Sequence, residues 1–325
     1  MSQEIAVAFV GAGGNAQGHM GRLAEIEGVS ISAICDLDAE RASSVAKQYG
    51  AADYTDYRRL LDEAQFDALY VCVPPFAHED AEVLAARRGC HLFVEKPVVV
   101  DMDKGYEILE AIDSAGVLSC VGYQLRLLDS TQRARRYLAT HTVAMVTAHR
   151  WGGLPGVPWW KVMAQSGGQL HEQTTHQVDL MRYLAGEIVE VYAHYSRRVM
   201  DDVEGMDIPD SQGALFKFLD GTIGMVATSP MMRQGGGAND LRFLVGDHVL
   251  SWGAGGNALD PDDDPEVTAA PVDTPSIDDA FMEAIRTGDG GHIPCSYRSG
   301  LQTSAVTLAA NESARTGRPV EVPMI

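Results

Sequence analysis

Five short apolar runs in the first 121 residues constrain this chain more than any other feature. They are Ile5–Val10, Ile31–Cys35, Ala68–Val73, His91–Val94 and Leu118–Val121. Helical patterns lie between them, at about Asn15–Glu27, Ala39–Tyr49, Ala77–Arg88 and Met102–Ala115. Continuous apolar runs of this length read as strands buried on both faces. Strands that alternate with helices pair in parallel, so residues 1–122 are predicted to form a doubly wound α/β domain.

The pattern changes after Val121. Tyr123–Thr140 reads as one arginine-rich helix, and longer strand-like runs follow at Thr142–Trp151, Ile188–Arg198, Ser211–Leu219, Thr222–Ser229, Leu241–Val245 and His248–Trp252. Helices are expected at Leu170–Leu184, Ile277–Arg286 and Arg298–Arg315. Asp220-Gly221 and Gly246-Asp247 are hairpin turns in sequence, which makes the sheet antiparallel. Residues 123–325 are therefore expected to form one α+β domain with a large, mainly antiparallel open sheet. A chain of 325 residues exceeds what a single core usually supports, in keeping with two domains. Gln234–Asn239 is a glycine-rich, flexible connection. Asp260–Pro265 reads DPDDDP and lacks the calcium-loop pattern, so it is a solvated acidic loop.

The first strand ends in Gly11-Ala12-Gly13-Gly14-Asn15-Ala16, a G-x-G-x-x-A turn that opens a helix. Its first glycine permits the tight turn, its second lets the backbone approach a pyrophosphate, and the small Ala16 lets helix and strand pack. A helix N-terminus there faces phosphates with free N–H groups and a favourable dipole. Asp36 ends the second strand, where a carboxylate accepts from ribose hydroxyls and repels a 2′-phosphate. These features predict a Rossmann domain that holds NAD in preference to NADP. A helix N-cap is the structural alternative for Asp36, and Asp38 suits that role better. Val73-Pro74-Pro75, with His78 just beyond, closes the third run at the carboxyl edge where ligands bind. It also stops the strand, since Pro-Pro cannot continue a sheet.

Glu95-Lys96-Pro97 follows the fourth strand. A lysine there can steady charge on a substrate oxygen or pass a proton, and a surface ion pair is the plainer alternative. The segment from Gly167 to Asp179 reads GGQLHEQTTHQVD. On one helix, Glu172, His176 and Asp179 would share a face and could share a proton taken from a hydroxyl. Zinc is disfavoured: His171 and His176 are not at the i, i+4 spacing of H-E-x-x-H, so no metal is expected. Tyr123, Gln124 and Arg126 after the last strand, and Trp159, Trp160 and Lys161 before the glycine pair, suit a polyol pocket. Packing is the alternative for the tryptophans, and Arg150 and Trp151 are weaker candidates.

VAFVGAGGNA, CVPPFAH, EKP and GGQLHEQTTHQVDLMRYLAG together resemble the Gfo/Idh/MocA family over essentially the whole chain. The resemblance implies oxidation of a sugar or cyclitol hydroxyl, or its reverse, with a nicotinamide cofactor. It implies Lys96 as the catalytic lysine, His176 as the acid/base and Glu172 as a substrate ligand or proton partner. Glu172 stands where the family usually has Asp, and Thr174 where it has Gly. The implied cofactor contacts are Gly11, Gly13, Gly14, Asn15, Ala16, Asp36, Val73, Pro74, Pro75, His78, Glu95, Lys96 and Gln124. Lys96, Tyr123, Arg126, Trp159, Trp160, Glu172 and His176 would touch substrate. The resemblance also implies a homodimer or homotetramer through the open sheet. Two other activities fit the same residues: a glycoside-cleaving or epimerising enzyme that retains NAD, and a non-enzymatic NAD or sugar sensor.

Charge narrows the partners further. The net charge of −20 opposes binding to nucleic acid or anionic membrane. The opening MSQEIAVAFVGAGG carries no basic segment followed by a long apolar stretch, so no signal peptide is expected. Five cysteines, none in a C-x-x-C pair, read as buried free thiols of a cytoplasmic protein.

Overall fold

All five apolar runs of the first half form strands, and a sixth strand of three residues joins them. In the computed structural model, which describes residues 4–260, 265–268 and 272–325, the chain opens with β1 (Ile5–Val10), α1 (Gly14–Leu23) and β2 (Val29–Cys35). It continues through α2 (Ala39–Tyr49), β3 (Ala52–Tyr54), α3 (Tyr57–Glu63), β4 (Ala68–Val71), α4 (Ala81–Arg87), β5 (His91–Val94), α5 (Met102–Ala115) and β6 (Ser119–Val121). The strands are parallel, in the order β3-β2-β1-β4-β5-β6. Strand order reverses beside β1, the topological position where such sheets bind ligands. β4 is buried throughout, and β1 and β5 at all but one residue, as parallel strands between helices should be.

Local chemistry explains where these elements stop. α1 ends at Leu23, short of the expected Glu27, because Glu25 and Ile26 donate to the Arg22 and Leu23 carbonyls and tighten the last turn. β4 ends at Val71, and Pro75–Ala77 form a 3-10 turn that delays α4 to Ala81. The Asp38 carboxylate caps α2 by accepting from the N–H groups of Glu40 and Arg41, both at 3.1 Å.

The second half supplies α6 (Asp129–Leu138), β7 (Val143–Trp151), α7 (Met163–Ser166), α8 (Gly168–Glu172), α9 (Thr175–Ala185), β8 (Ile188–Ser196) and β9 (Ser211–Phe218). β10 (Ile223–Ser229), β11 (Ala238–Val245), β12 (His248–Gly253), β13 (Gly256–Asp260), α10 (Pro265–Thr268), α11 (Ile277–Thr287), α12 (Tyr297–Thr316) and β14 (Val320–Glu321) complete it. Its eight-stranded sheet has the order β13-β12-β11-β7-β10-β9-β8-β14. Every pairing is antiparallel except that of β7 with β10. Burial alternates along β9, β10 and β11, so one face is covered and the other open. Residues 261–264 of the acidic loop lie outside the described residues.

Three expectations need correction. Tyr123–Thr140 is not one helix: Gln124–Leu127 form a 3-10 turn, Leu128 is extended, and α6 begins at Asp129. The break is held by side chains that take its carbonyls, Thr131 Oγ1 donating to Leu125 and Gln132 Nε2 to Arg126. Leu170–Leu184 is likewise two helices, parted at Gln173-Thr174, whose N–H groups both donate to the Gln169 carbonyl. Finally, the second domain is not continuous over 123–325. The chain divides into two compact units, one running to Gly122 and including Pro275–Gly300, the other comprising Tyr123–Thr274 and Leu301–Ile325. α11 belongs to the first unit because Phe281 packs 6.0 Å from Tyr70 and 5.9 Å from Phe93, ring to ring. Among the described residues no helix is long and apolar enough to cross a membrane.

Candidate active site

The turn from β1 into α1 is shaped for a pyrophosphate. Gly11 has φ +97°, and a Cβ there would lie 2.4 Å from the Cys72 carbonyl oxygen, so no other residue fits. Beside Gly13 and Gly14 the space is open: a Cβ at either position would meet no atom within 4 Å. Among the described residues no side chain caps α1, and its first turn carries no acidic residue, so its N–H groups and dipole are left without a side-chain acceptor there. Asp36 sits against the same turn, its Oδ2 accepting from Ala12 N at 2.9 Å and its Oδ1 from Asp38 N at 2.9 Å. Arg41 approaches that carboxylate at 3.3 Å. Leu37 is 92% exposed beside it. An anion-ready helix end next to a ribose-height carboxylate fits a dinucleotide.

At the ends of β4 and β5 the side chains turn inward. His78 is buried, its Nδ1 against the Glu82 carboxylate on α4. Pro75 is buried in the 3-10 turn, and Val73 lies against Gly11. Glu95 is buried too, and its Oε2 accepts the backbone N–H of Lys96 at 3.0 Å. Its Oε1 meets His19 Nε2 at 3.0 Å, and His19 Nδ1 meets Asp278 Oδ1 at 2.7 Å. Asp278 also accepts from Arg22 Nε at 2.5 Å and from the Tyr70 hydroxyl at 3.1 Å. Burial opposes a charge on His19, but the hydrogen bonds to Asp278 and Glu95 outweigh it and raise the imidazole from 6.5 to about 9. A buried imidazolium thus ties α1 to the segment that carries Lys96.

The α8–α9 break organises the second cluster. Gly167 and Gly168 have φ +69° and +82°, and a Cβ on Gly167 would stand 2.5 Å from the His171 ring. The glycine pair therefore lets α8 start tightly over His171, which is buried with its Nδ1 2.7 Å from Thr307 Oγ1. Glu172 ends α8 and accepts the indole N–H of Trp160. Trp160 is itself buried among Met200, Met206 and Ile208, with Trp159 partly buried against that cluster. His176 lies in the first turn of α9, and the Tyr123 ring meets it edge-on at 5.7 Å. Tyr123 is held by a 2.7 Å hydrogen bond to Thr175. Arg126 grips Asp179 with two bonds of 2.8 and 2.6 Å, both residues buried, and lies over the Tyr183 ring.

The expected single face of Glu172, His176 and Asp179 is thus split by the helix break. Gln124 is exposed at the start of its 3-10 turn, and Arg126 serves the Asp179 ion pair. Asn15 and Ala16 lie in the first turn of α1, Ala16 buried against the sheet. Sequence reasoning missed His19, Asp278, Leu37 and Arg41. A histidine one helical turn beyond the glycine fingerprint was the available signal for His19; nothing local announces Asp278, more than 250 residues away.

Comparison with known proteins places these features in context. Residues 5–123 match the Gfo/Idh/MocA "Oxidoreductase family, NAD-binding Rossmann fold", and residues 141–247 match the "GFO/IDH/MocA C-terminal domain". The uncharacterised oxidoreductase YrbE of Bacillus subtilis is 27% identical over 346 residues, covering 99% of this chain and 98% of that protein. The myo-inositol 2-dehydrogenase of Thermotoga maritima is 24% identical over 214 residues, covering 65% and 64%. The crystal structure of the WlbA dehydrogenase from Bordetella pertussis with NADH and UDP-GlcNAcA superposes with a TM-score of 0.85 at 21% identity, covering 99% of each chain. At that identity it shows a shared fold.

Proposed function

This chain belongs to the Gfo/Idh/MocA oxidoreductases and is an NAD-dependent enzyme, and on that premise we propose that it oxidises a hydroxyl of a sugar, sugar derivative or cyclitol, or runs the reverse reduction. The observation that carries the reading is the α8–α9 break, which ends α8 at Glu172, its carboxylate accepting from the Trp160 indole, and opens α9 with His176, its ring edge-on to Tyr123. An imidazole held in place by its neighbours is what removal of a hydroxyl proton needs. The myo-inositol and scyllo-inositol dehydrogenases among the relatives act on polyols of this kind.

In this proposal the first unit binds NAD and the second holds substrate. The α1 N-terminus receives the pyrophosphate and Asp36 the adenosine ribose hydroxyls, with Leu37 against the adenine. When bound, NAD supplies the acceptor for the two electrons leaving the hydroxyl-bearing carbon. His176 takes the hydroxyl proton, the Lys96 ammonium steadies the charge that develops on that oxygen, and Glu172 accepts from a neighbouring hydroxyl. Arg126 and Asp179 hold α9, and hence His176, in place.

We further propose that the open sheet face joins copies of the chain. Tyr192, Leu215 and Met225 are side by side on β8, β9 and β10 and are exposed, as are Ile223 and Leu244 in the next row. An apolar band of this kind marks a protein interface. Leu215→Lys with Met225→Lys should convert the assembly to monomer in light scattering; unchanged mass would refute this placement. A cytoplasmic location accords with five cysteines free of disulfides.

The activity is tested by mixing the protein with NAD and a panel of sugars, sugar acids and inositols and recording absorbance at 340 nm. Rising absorbance with one class supports the reading. Tight NAD binding without NADH release across the panel would transfer it to the transient-oxidation chemistry.

A further inference from the structure

Arg150 lies in a polar row that crosses the covered face of the second sheet. Asn239, Arg150, Thr228 and Gln212 are in register on β11, β7, β10 and β9. Three of the four reach the α8–α9 segment. Asn239 Oδ1 accepts from Gln177 Nε2 at 2.6 Å, Thr228 Oγ1 is 2.6 Å from Thr174 Oγ1, and Gln212 Oε1 accepts from Leu170 N at 2.9 Å. Arg150, between Asn239 and Thr228, is the exception. Its guanidinium is half-buried and lies against Gly152, and among the described residues it has neither hydrogen bond nor ion pair. Every other arginine among the described residues that is not exposed is matched: Arg126 with Asp179, Arg133 with Asp129, Arg182 with Glu187 and Arg286 with the Glu27 carbonyl.

A guanidinium withdrawn from water without a counter-ion is costly. Burial lowers the Arg150 pKa, and Glu172 is the charge that acts against this. Glu172 already accepts from Trp160 and acts on Arg150 as a nearby charge. The planar fork of donors is therefore left without a protein acceptor among the described residues, near enough to Glu172 to feel its charge, and such a fork matches a carboxylate in two parallel hydrogen bonds. One guanidinium beside the Glu172 carboxylate suits a monoanion better than a phosphate dianion.

Resting on the reading of Glu172 and His176 as substrate residues, we propose that Arg150 binds a carboxylate carried by the substrate, so that the enzyme's substrate class is a sugar acid and not a neutral sugar. The test is calorimetric titration of the NAD-loaded protein with D-glucuronate, D-galacturonate, D-glucose, D-galactose and glucose 6-phosphate. Arg150→Met and the polar Arg150→Gln are run beside it, each checked for native circular dichroism. The acids are expected to bind about tenfold or more tightly than their neutral counterparts, and both variants to lose that difference. Equal binding of acid and neutral sugar overturns the proposal, as does an acid preference that survives in both variants. Tighter binding of the phosphate, or no binding by any probe, also overturns it. NADH formation separates this from the underlying activity. Neutral sugars oxidised as fast as acids sink the Arg150 assignment alone, whereas acids held through Arg150 without any NADH sink the dehydrogenase reading alone.

Discussion

Replacing His19 by Gln should flatten the pH dependence of stability, because the imidazolium between Asp278 and Glu95 is the most strongly perturbed cation in the first unit. Its pKa is raised from 6.5 to about 9. A group whose folded pKa is raised stabilises the fold fully below its unfolded pKa and ceases to do so as pH rises through the folded one. The contribution is therefore present below about pH 6.5 and gone above about pH 9. The shift corresponds to about 3 kcal/mol. Urea unfolding followed by far-UV circular dichroism from pH 6 to 10 measures it. Tryptophan fluorescence would not serve, since all four tryptophans lie beyond residue 150, outside this unit. Other groups titrate in the same range, so the quantity that counts is the difference between the two proteins. Native protein should lose about 3 kcal/mol more than His19→Gln across the window. Parallel curves would refute the buried imidazolium. Because Glu95 Oε2 holds the Lys96 N–H, kcat of the native protein should fall as pH rises through about 9, where the folded His19 loses its proton.

Two further substitutions probe the cofactor cradle and the α9 brace. Asp36→Ala removes the carboxylate beside the fingerprint turn and frees Arg41, so the ratio of NADP to NAD affinity should rise about tenfold or more, measured by fluorescence titration of each reduced cofactor; an unchanged ratio would contradict the ribose assignment. Arg126→Leu leaves the buried Asp179 with Thr303 but without the Arg126 cation, and should cost about 3–5 kcal/mol in urea unfolding followed by tryptophan fluorescence; a loss below about 1 kcal/mol would contradict a stabilising Arg126–Asp179 brace.

The first sheet was legible because a parallel strand buried on both faces writes a continuous apolar run. β1 and β5 match the residues read from sequence alone, whereas β3 and α3 are too short and too exposed to leave a periodic trace. The helix breaks at Leu128 and Gln173-Thr174 were hidden for another reason. Neither contains glycine or proline: the first is held by side chains of α6 that take carbonyls six residues back, and the second by Thr174 meeting Thr228 on β10. The same limit applied to the site. The glycine fingerprint and Asp36 announce themselves by spacing, but Arg150 matters only through its row with Thr228 and Asn239, which strand register creates. The return of Pro275–Gly300 to the first unit was invisible because a buried ion network pairs residues by charge, not by sequence distance.

The most direct test of the central claim compares native protein with Lys96→Ala and His176→Ala, each first shown to bind NAD. NADH formation from one class of sugar, sugar acid or cyclitol should be clear in the native protein and fall by about 10²-fold or more in both variants, with NAD affinity little changed in His176→Ala. Turnover that survives both substitutions would contradict the assignment of acid–base and oxyanion roles to these two side chains.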